Sequence, residues 1–96
     1  MNLRQFQDST AASEPVSELP LALTALWWDA KGDWAKAHEC AQQSESPDHA
    51  WVHAYLHRKE GDIDNARYWY GRAGRSVFSG SLEEEWKEIA KELLDR

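Results

Sequence analysis

The stretch "EGDIDNARYWYGRAG", Glu60–Gly74, decides the fold. It opens on Gly61-Asp62. A glycine can take the left-handed conformation that ends one helix. An aspartate just after it can cap the next with its side chain. Ile63, Ala66, Tyr70 and Ala73 then recur at helical spacing, and Gly74 closes the run. The same punctuation stands 29 residues upstream in "KGDWAKAHECA", Lys31–Ala41. In that register Ala25 pairs with Ala54, Leu26 with Tyr55, Trp34 with Ile63, Ala37 with Ala66 and Ala41 with Tyr70. Both copies read helix, Gly-Asp turn, helix.

Working outward, "SELPLALTALWWDAKGD" has Ser17 as its cap and Pro20 in its first turn, and it stops at Gly32. "DWAKAHECAQQSESP" starts on Asp33 and decays toward Pro47. "DHAWVHAYLHRKEGD" starts on Asp48 and stops at Gly61. After the loop "RSVFSGS", the final segment "SLEEEWKEIAKELLDR" has a capping box in Ser81 and Glu84. Its Leu82, Trp86, Ile89, Ala90, Leu93 and Leu94 form one apolar stripe. The acidic run Glu83–Glu85 reads as a helix N-terminus favoured by its dipole. No segment shows the alternation of a strand.

The second copy, with Gly61, Ala66, Tyr70 and Ala73, resembles the tetratricopeptide (TPR/Sel1-type) repeat. The first copy shares Ala25, Trp28, Gly32 and Ala37, then departs at Ala41 and Ser44. The 29-residue spacing is shorter than the family's usual repeat of about 34. The expected fold is therefore all-α: two antiparallel helical hairpins and a C-terminal amphipathic capping helix. Residues 18–96 form one helical-repeat domain, and residues 1–17 a flexible arm with at most a helical turn near Leu3–Phe6. Two stacked repeats leave an apolar end, which the last helix or a homodimer would cover.

Composition narrows the class. A net charge of −6 argues against a broad surface for nucleic acid or anionic lipid. One cysteine, Cys40, forms no internal disulfide, so a cytoplasmic location is the expectation. The longest apolar run, "LPLALTALWWDA", is too short to span a membrane. No nucleophile elbow or phosphate loop appears, and an enzyme is not the first expectation.

The segment Asp48–Lys59 carries two stripes. His49, His53 and His57 recur every four residues. They span about 12 Å on a helix axis, so all three cannot grip one ion. His53 and His57 are expected to pack against the Ile63–Tyr70 helix. The competing reading makes His49, His53 and His57 ligands for zinc or another divalent metal, in a metal-binding or small metal-dependent hydrolytic protein. His38 and Glu60 are the available further ligands, with nothing in the sequence to bring His38 close.

The second stripe is Trp51, Tyr55, Arg58 and Lys59. The resemblance implies that these positions line the ligand-facing surface of the repeat. The leading expectation is a non-enzymatic interaction module that binds a peptide or protein segment there. Core packing of Trp51 and Tyr55 between repeats is the alternative. In "RYWYGRAGR", Arg67, Arg72 and Arg75 interleave with aromatics as nucleic-acid sites do. Trp69 and Tyr70, however, fall on the core stripe, and nucleic acid is not the expected ligand. Cys40 reads as an inert buried thiol.

Overall fold

A computed structural model describes residues 1–96. It contains six helices and no strands: α1 (Leu3–Ser9), α2 (Leu21–Ala30), α3 (Trp34–Ala41), α4 (Pro47–Lys59), α5 (Ile63–Ala73) and α6 (Leu82–Leu94). The fold class is all-α. The two Gly-Asp junctions behave as their chemistry demands. Gly32 and Gly61 sit at φ of 82° and 81°, a region that L side chains avoid. Asp33 accepts from the Lys36 backbone N–H at 3.0 Å, and Asp62 from that of Asn65 at 3.4 Å. Ser81 caps α6 through the Glu84 N–H at 3.0 Å.

Two helix starts differ from expectation. α4 begins at Pro47 with Ser46 as its cap, because proline needs no donor partner in a first turn. Asp48 is then a first-turn acid rather than the cap. α2 begins at Leu21, with Pro20 at the cap position and no side-chain cap. Ser17 lies outside it.

α2 packs chiefly on α3, and α4 chiefly on α5. Ala25, Ala37 and Leu26 are buried, and so are Ala54, Ala66 and Tyr55 in the second copy. Alanine at these positions lets the helices approach closely. The copies part at Trp34 and Ile63. Trp34 turns onto α4 and donates its indole N–H to the Leu56 carbonyl at 3.1 Å. Ile63 stays 41 % exposed.

The reason is the position of α6. It was expected to cap the end of the array, but it lies chiefly against α2 and α4, and α5 reaches it through the Tyr70–Glu85 hydrogen bond. Glu85 near its start meets Arg58 near the end of α4, and Arg96 beyond its end meets Asp48 at the start of α4. The two helices are therefore antiparallel along their length. Trp86 donates to the Leu26 carbonyl of α2 at 2.9 Å.

The segment expected to be a free arm is also folded. α1 carries a capping box between Asn2 and Gln5 and packs on α6. Phe6 is fully buried and stacks on Trp86, with ring centroids 5.5 Å apart. Trp27 donates to the Ser9 carbonyl at 3.3 Å. Lys31 donates to the Thr10 and Ala12 carbonyls at 2.9 and 2.8 Å.

Candidate functional site

The stripe Trp51, Tyr55, Arg58 and Lys59 is engaged inside the molecule. Trp51 and Tyr55 are buried. The Tyr55 hydroxyl donates to Asp29 Oδ2 at 2.6 Å, and Lys59 Nζ donates to Asp29 Oδ1 at 2.8 Å. Arg58 donates from Nε to Glu85 Oε1 at 2.9 Å and from Nη2 to the Gly80 carbonyl at 3.1 Å. Tyr70 supplies a second donor to Glu85. Asp29 and Glu85 are both buried, and a buried carboxylate is tolerated when it is paired and hydrogen-bonded. Here each has one tyrosine and one cation. Burial, helped by these carboxylates, pushes the Tyr55 and Tyr70 hydroxyls well above the usual phenol range. The Arg75 guanidinium lies 3.5 Å from the Trp51 ring centroid and pairs with Glu92. The stripe thus faces α2, α6 and the loop that leads to α6.

Two of the four residues still reach a surface. Tyr55 and Lys59 line a cleft of about 390 Å³ beside α1, together with Gln7, Asp29, Trp86 and Lys87.

The histidines separate into two groups. His49 turns away, and its Nδ1 lies 3.0 Å from the Ala41 carbonyl oxygen. The trio His49, His53, His57 is therefore not a cluster. His38 of α3 takes the vacant place. One ring nitrogen from each of His38, His53 and His57 lies within 4.8 Å of the other two. His38 Nε2 and His53 Nε2 are 3.0 Å apart. Trp34 stacks on the His38 ring at a centroid distance of 4.7 Å. Trp69 stacks on His53 at 3.9 Å. His53 packs toward the Ile63–Tyr70 helix as expected, through this stack on Trp69, whereas the His57 ring meets Trp34, His38 and His53. Asp62 Oδ2 lies 3.9 Å from His57 Nδ1.

Burial and the neighbouring His38 and His57 hold the His53 imidazole down at about 4. Burial and His57 also lower His38. Both rings are neutral at pH 7, the form that binds metal ions. His38 was legible in principle. Trp34, His38 and Ala41 follow a helical stripe, and the 29-residue register pairs Ala41 with Tyr70 of the core stripe.

The cluster "RYWYGRAGR" is dispersed. Arg67 pairs with Asp64, Arg72 with Glu45 and Arg75 with Glu92. Trp69 and Tyr70 point inward. Cys40 is half-buried, and burial with Glu39 pushes its thiol up, away from the reactive thiolate. No helix is long and apolar enough to cross a membrane. Compared with family models, with curated proteins and with solved structures, the chain has no significant match.

Proposed function

We propose that the domain is a non-enzymatic, tetratricopeptide-like binding module that takes a short amphipathic helical segment on the face shared by α2 and α6. The 29-residue register and the two Gly-Asp turns support the repeat reading. The seat of α1 carries the functional one. That face receives a helix by an aromatic anchor, Phe6 on Trp86, by the Trp27 N–H on the last α1 carbonyl, Ser9, and by Lys31 on the Thr10 and Ala12 carbonyls at the cap and just past it. The last carbonyls of any helix lack internal partners, and a cation there also meets the negative end of the dipole. The recognition therefore reads helix geometry plus one aromatic, which a partner segment can supply as well as α1. The cleft lined by Tyr55 and Lys59 extends this seat. On this reading the binding residues are Trp27, Lys31, Tyr55, Lys59 and Trp86. A reducing, cytoplasmic setting fits the lone Cys40.

A chain that lacks residues 1–12 tests the reading. It should remain helical by circular dichroism and bind a fluorescent peptide of residues 1–12. The same peptide with Phe6→Ala should bind at least tenfold more weakly, since truncating a buried phenylalanine costs about 3–5 kcal/mol. A folded truncated chain that ignores the peptide would sink the reading. A truncated chain that unfolds would show the seat to be ordinary core.

A further inference from the structure

We propose that His38, His53 and His57 form a binding site for one late first-row divalent cation, of which zinc is the type, held between α3 and α4. The site uses neither α1 nor α6 and stands apart from the seat discussed above.

Geometry carries the proposal. Zinc binds imidazole nitrogen at about 2.0–2.1 Å in tetrahedral array, which sets ligand nitrogens about 3.3 Å apart. The His38–His53 nitrogens are 3.0 Å apart, and every pair in the trio lies within 4.8 Å. The widest pair closes by about 1.5 Å, through rotation of the partly exposed His38 and His57 rings. The two α4 ligands come from one helix at a spacing of four, the His–x3–His arrangement that places two rings on one face. α3 runs antiparallel to α4 here, as Trp34 meets Leu56, His38 meets His53 and Ala41 meets His49. The third ligand thus faces the first two from across the helix interface.

The protonation logic points the same way. Only one proton fits between His38 Nε2 and His53 Nε2, so one of these nitrogens already presents a lone pair to the other. A cation placed among the three rings takes the place of that proton, the donor ring shifting to its Nδ1–H tautomer so that both Nε2 lone pairs reach the ion. The surroundings resemble a supported metal site. Stacking by Trp34 and Trp69 fixes the planes of two ligands. Asp62 Oδ2 lies 3.9 Å from His57 Nδ1, a small side-chain shift short of the hydrogen bond by which a carboxylate orients a ligating imidazole. That leaves His57 Nε2 for the ion.

The donor set chooses the class of ion. Three imidazole nitrogens with no carboxylate among them suit zinc, copper, nickel or cobalt, and not magnesium or calcium, which take oxygen ligands. His38 and His57 are only partly buried, so a fourth coordination position opens to solvent. A bound ion would tie the α2–α3 pair to the α4–α5 pair.

Zinc titration of chelator-treated full-length protein, followed by calorimetry and thermal melting, tests this. One zinc per chain and a raised Tm are expected. His38→Gln and His57→Gln are both partly exposed and should keep the fold. Each should weaken binding by more than the roughly 10–100-fold typical of losing a supporting group. Asp62→Asn keeps a capping side chain and should weaken it by about tenfold. His49→Ala should bind as the parent does. Cobalt should give the visible spectrum of a four-coordinate site with three nitrogen ligands and one solvent ligand. Absence of stoichiometric zinc binding would overturn the proposal. So would binding that survives both glutamine variants, or binding that His49→Ala abolishes, because the ion would then sit elsewhere.

Discussion

Glu85 is a carboxylate with no solvent exposure, and its two donors come from different helices. Arg58 belongs to α4 and Tyr70 to α5. Removing one partner of such a pair leaves a buried charge uncompensated, which costs about 3–5 kcal/mol. Glu85→Ala should therefore lower unfolding free energy by about that amount in urea melts. Combining Arg58→Met with Glu85→Leu should recover much of the loss, since hydrophobic replacement of a buried pair is often neutral. If Glu85→Ala costs no more than a surface substitution, the pair is not the joint described. This detail was closed to the sequence for a physical reason. Arginine and glutamate are almost always exposed unless paired, and the two residues stand 27 positions apart. Glu85 was one of three acids that read alike as a solvated first turn. Only tertiary packing singles it out. His38 illustrates the opposite case, since its stripe with Trp34 and Ala41 is local and could have been read.

At the scale of elements, the local signals carried and the long-range ones did not. Helices α3 and α5 start where Asp33 and Asp62 say, and α2, α4 and α5 stop at Gly32, Gly61 and Gly74, because caps and left-handed turns act within a few residues. Gly32→Ala and Gly61→Ala should each destabilise by about 1–2 kcal/mol, the cost of a Cβ at positive φ. A Cβ at either site meets no neighbouring atom, so the backbone conformation alone sets the effect. Equilibrium unfolding of both variants and of the double mutant checks this, with near-additive losses expected for separated turns. A gain in stability in either variant would mean the turn had found another conformation. The seat of α6 was not legible. Its apolar stripe shows that it must be buried, but not on what. An end cap and a cover over α2 and α4 bury the same stripe. Arg58, Gly80 and Phe78 decide the matter, because Arg58 grips the Gly80 carbonyl and lies over the Phe78 ring. That anchor turns the chain back across α4 before α6 begins.

For the molecule as a whole, α4 is the hub, and two tyrosine–carboxylate contacts fasten its surroundings. Tyr55 joins α4 to α2, and Tyr70 joins α5 to α6. Both hydroxyls are held in the protonated form by burial and by the carboxylate beside them. The sign of the pH dependence follows. Above about pH 10 a tyrosine in the unfolded chain loses its proton. In the folded chain Tyr55 and Tyr70 keep theirs. The unfolded state then binds fewer protons, and stability falls as pH rises. Each tyrosine contributes about 1.4 kcal/mol per pH unit over that window, against a total of roughly 5–15 kcal/mol for a domain of this kind. Denaturant melts at pH 9, 10 and 11 should show a stability that is flat and then falls. Tyr55→Phe and Tyr70→Phe should each start lower, having lost a hydrogen bond, but decline less steeply. Parent and variants share every other titratable group, so the difference in slope isolates the tyrosines. Equal slopes in the parent and both phenylalanine variants would show that these contacts do not govern the alkaline limit. The double variant, with both contacts gone, should have the shallowest decline of all.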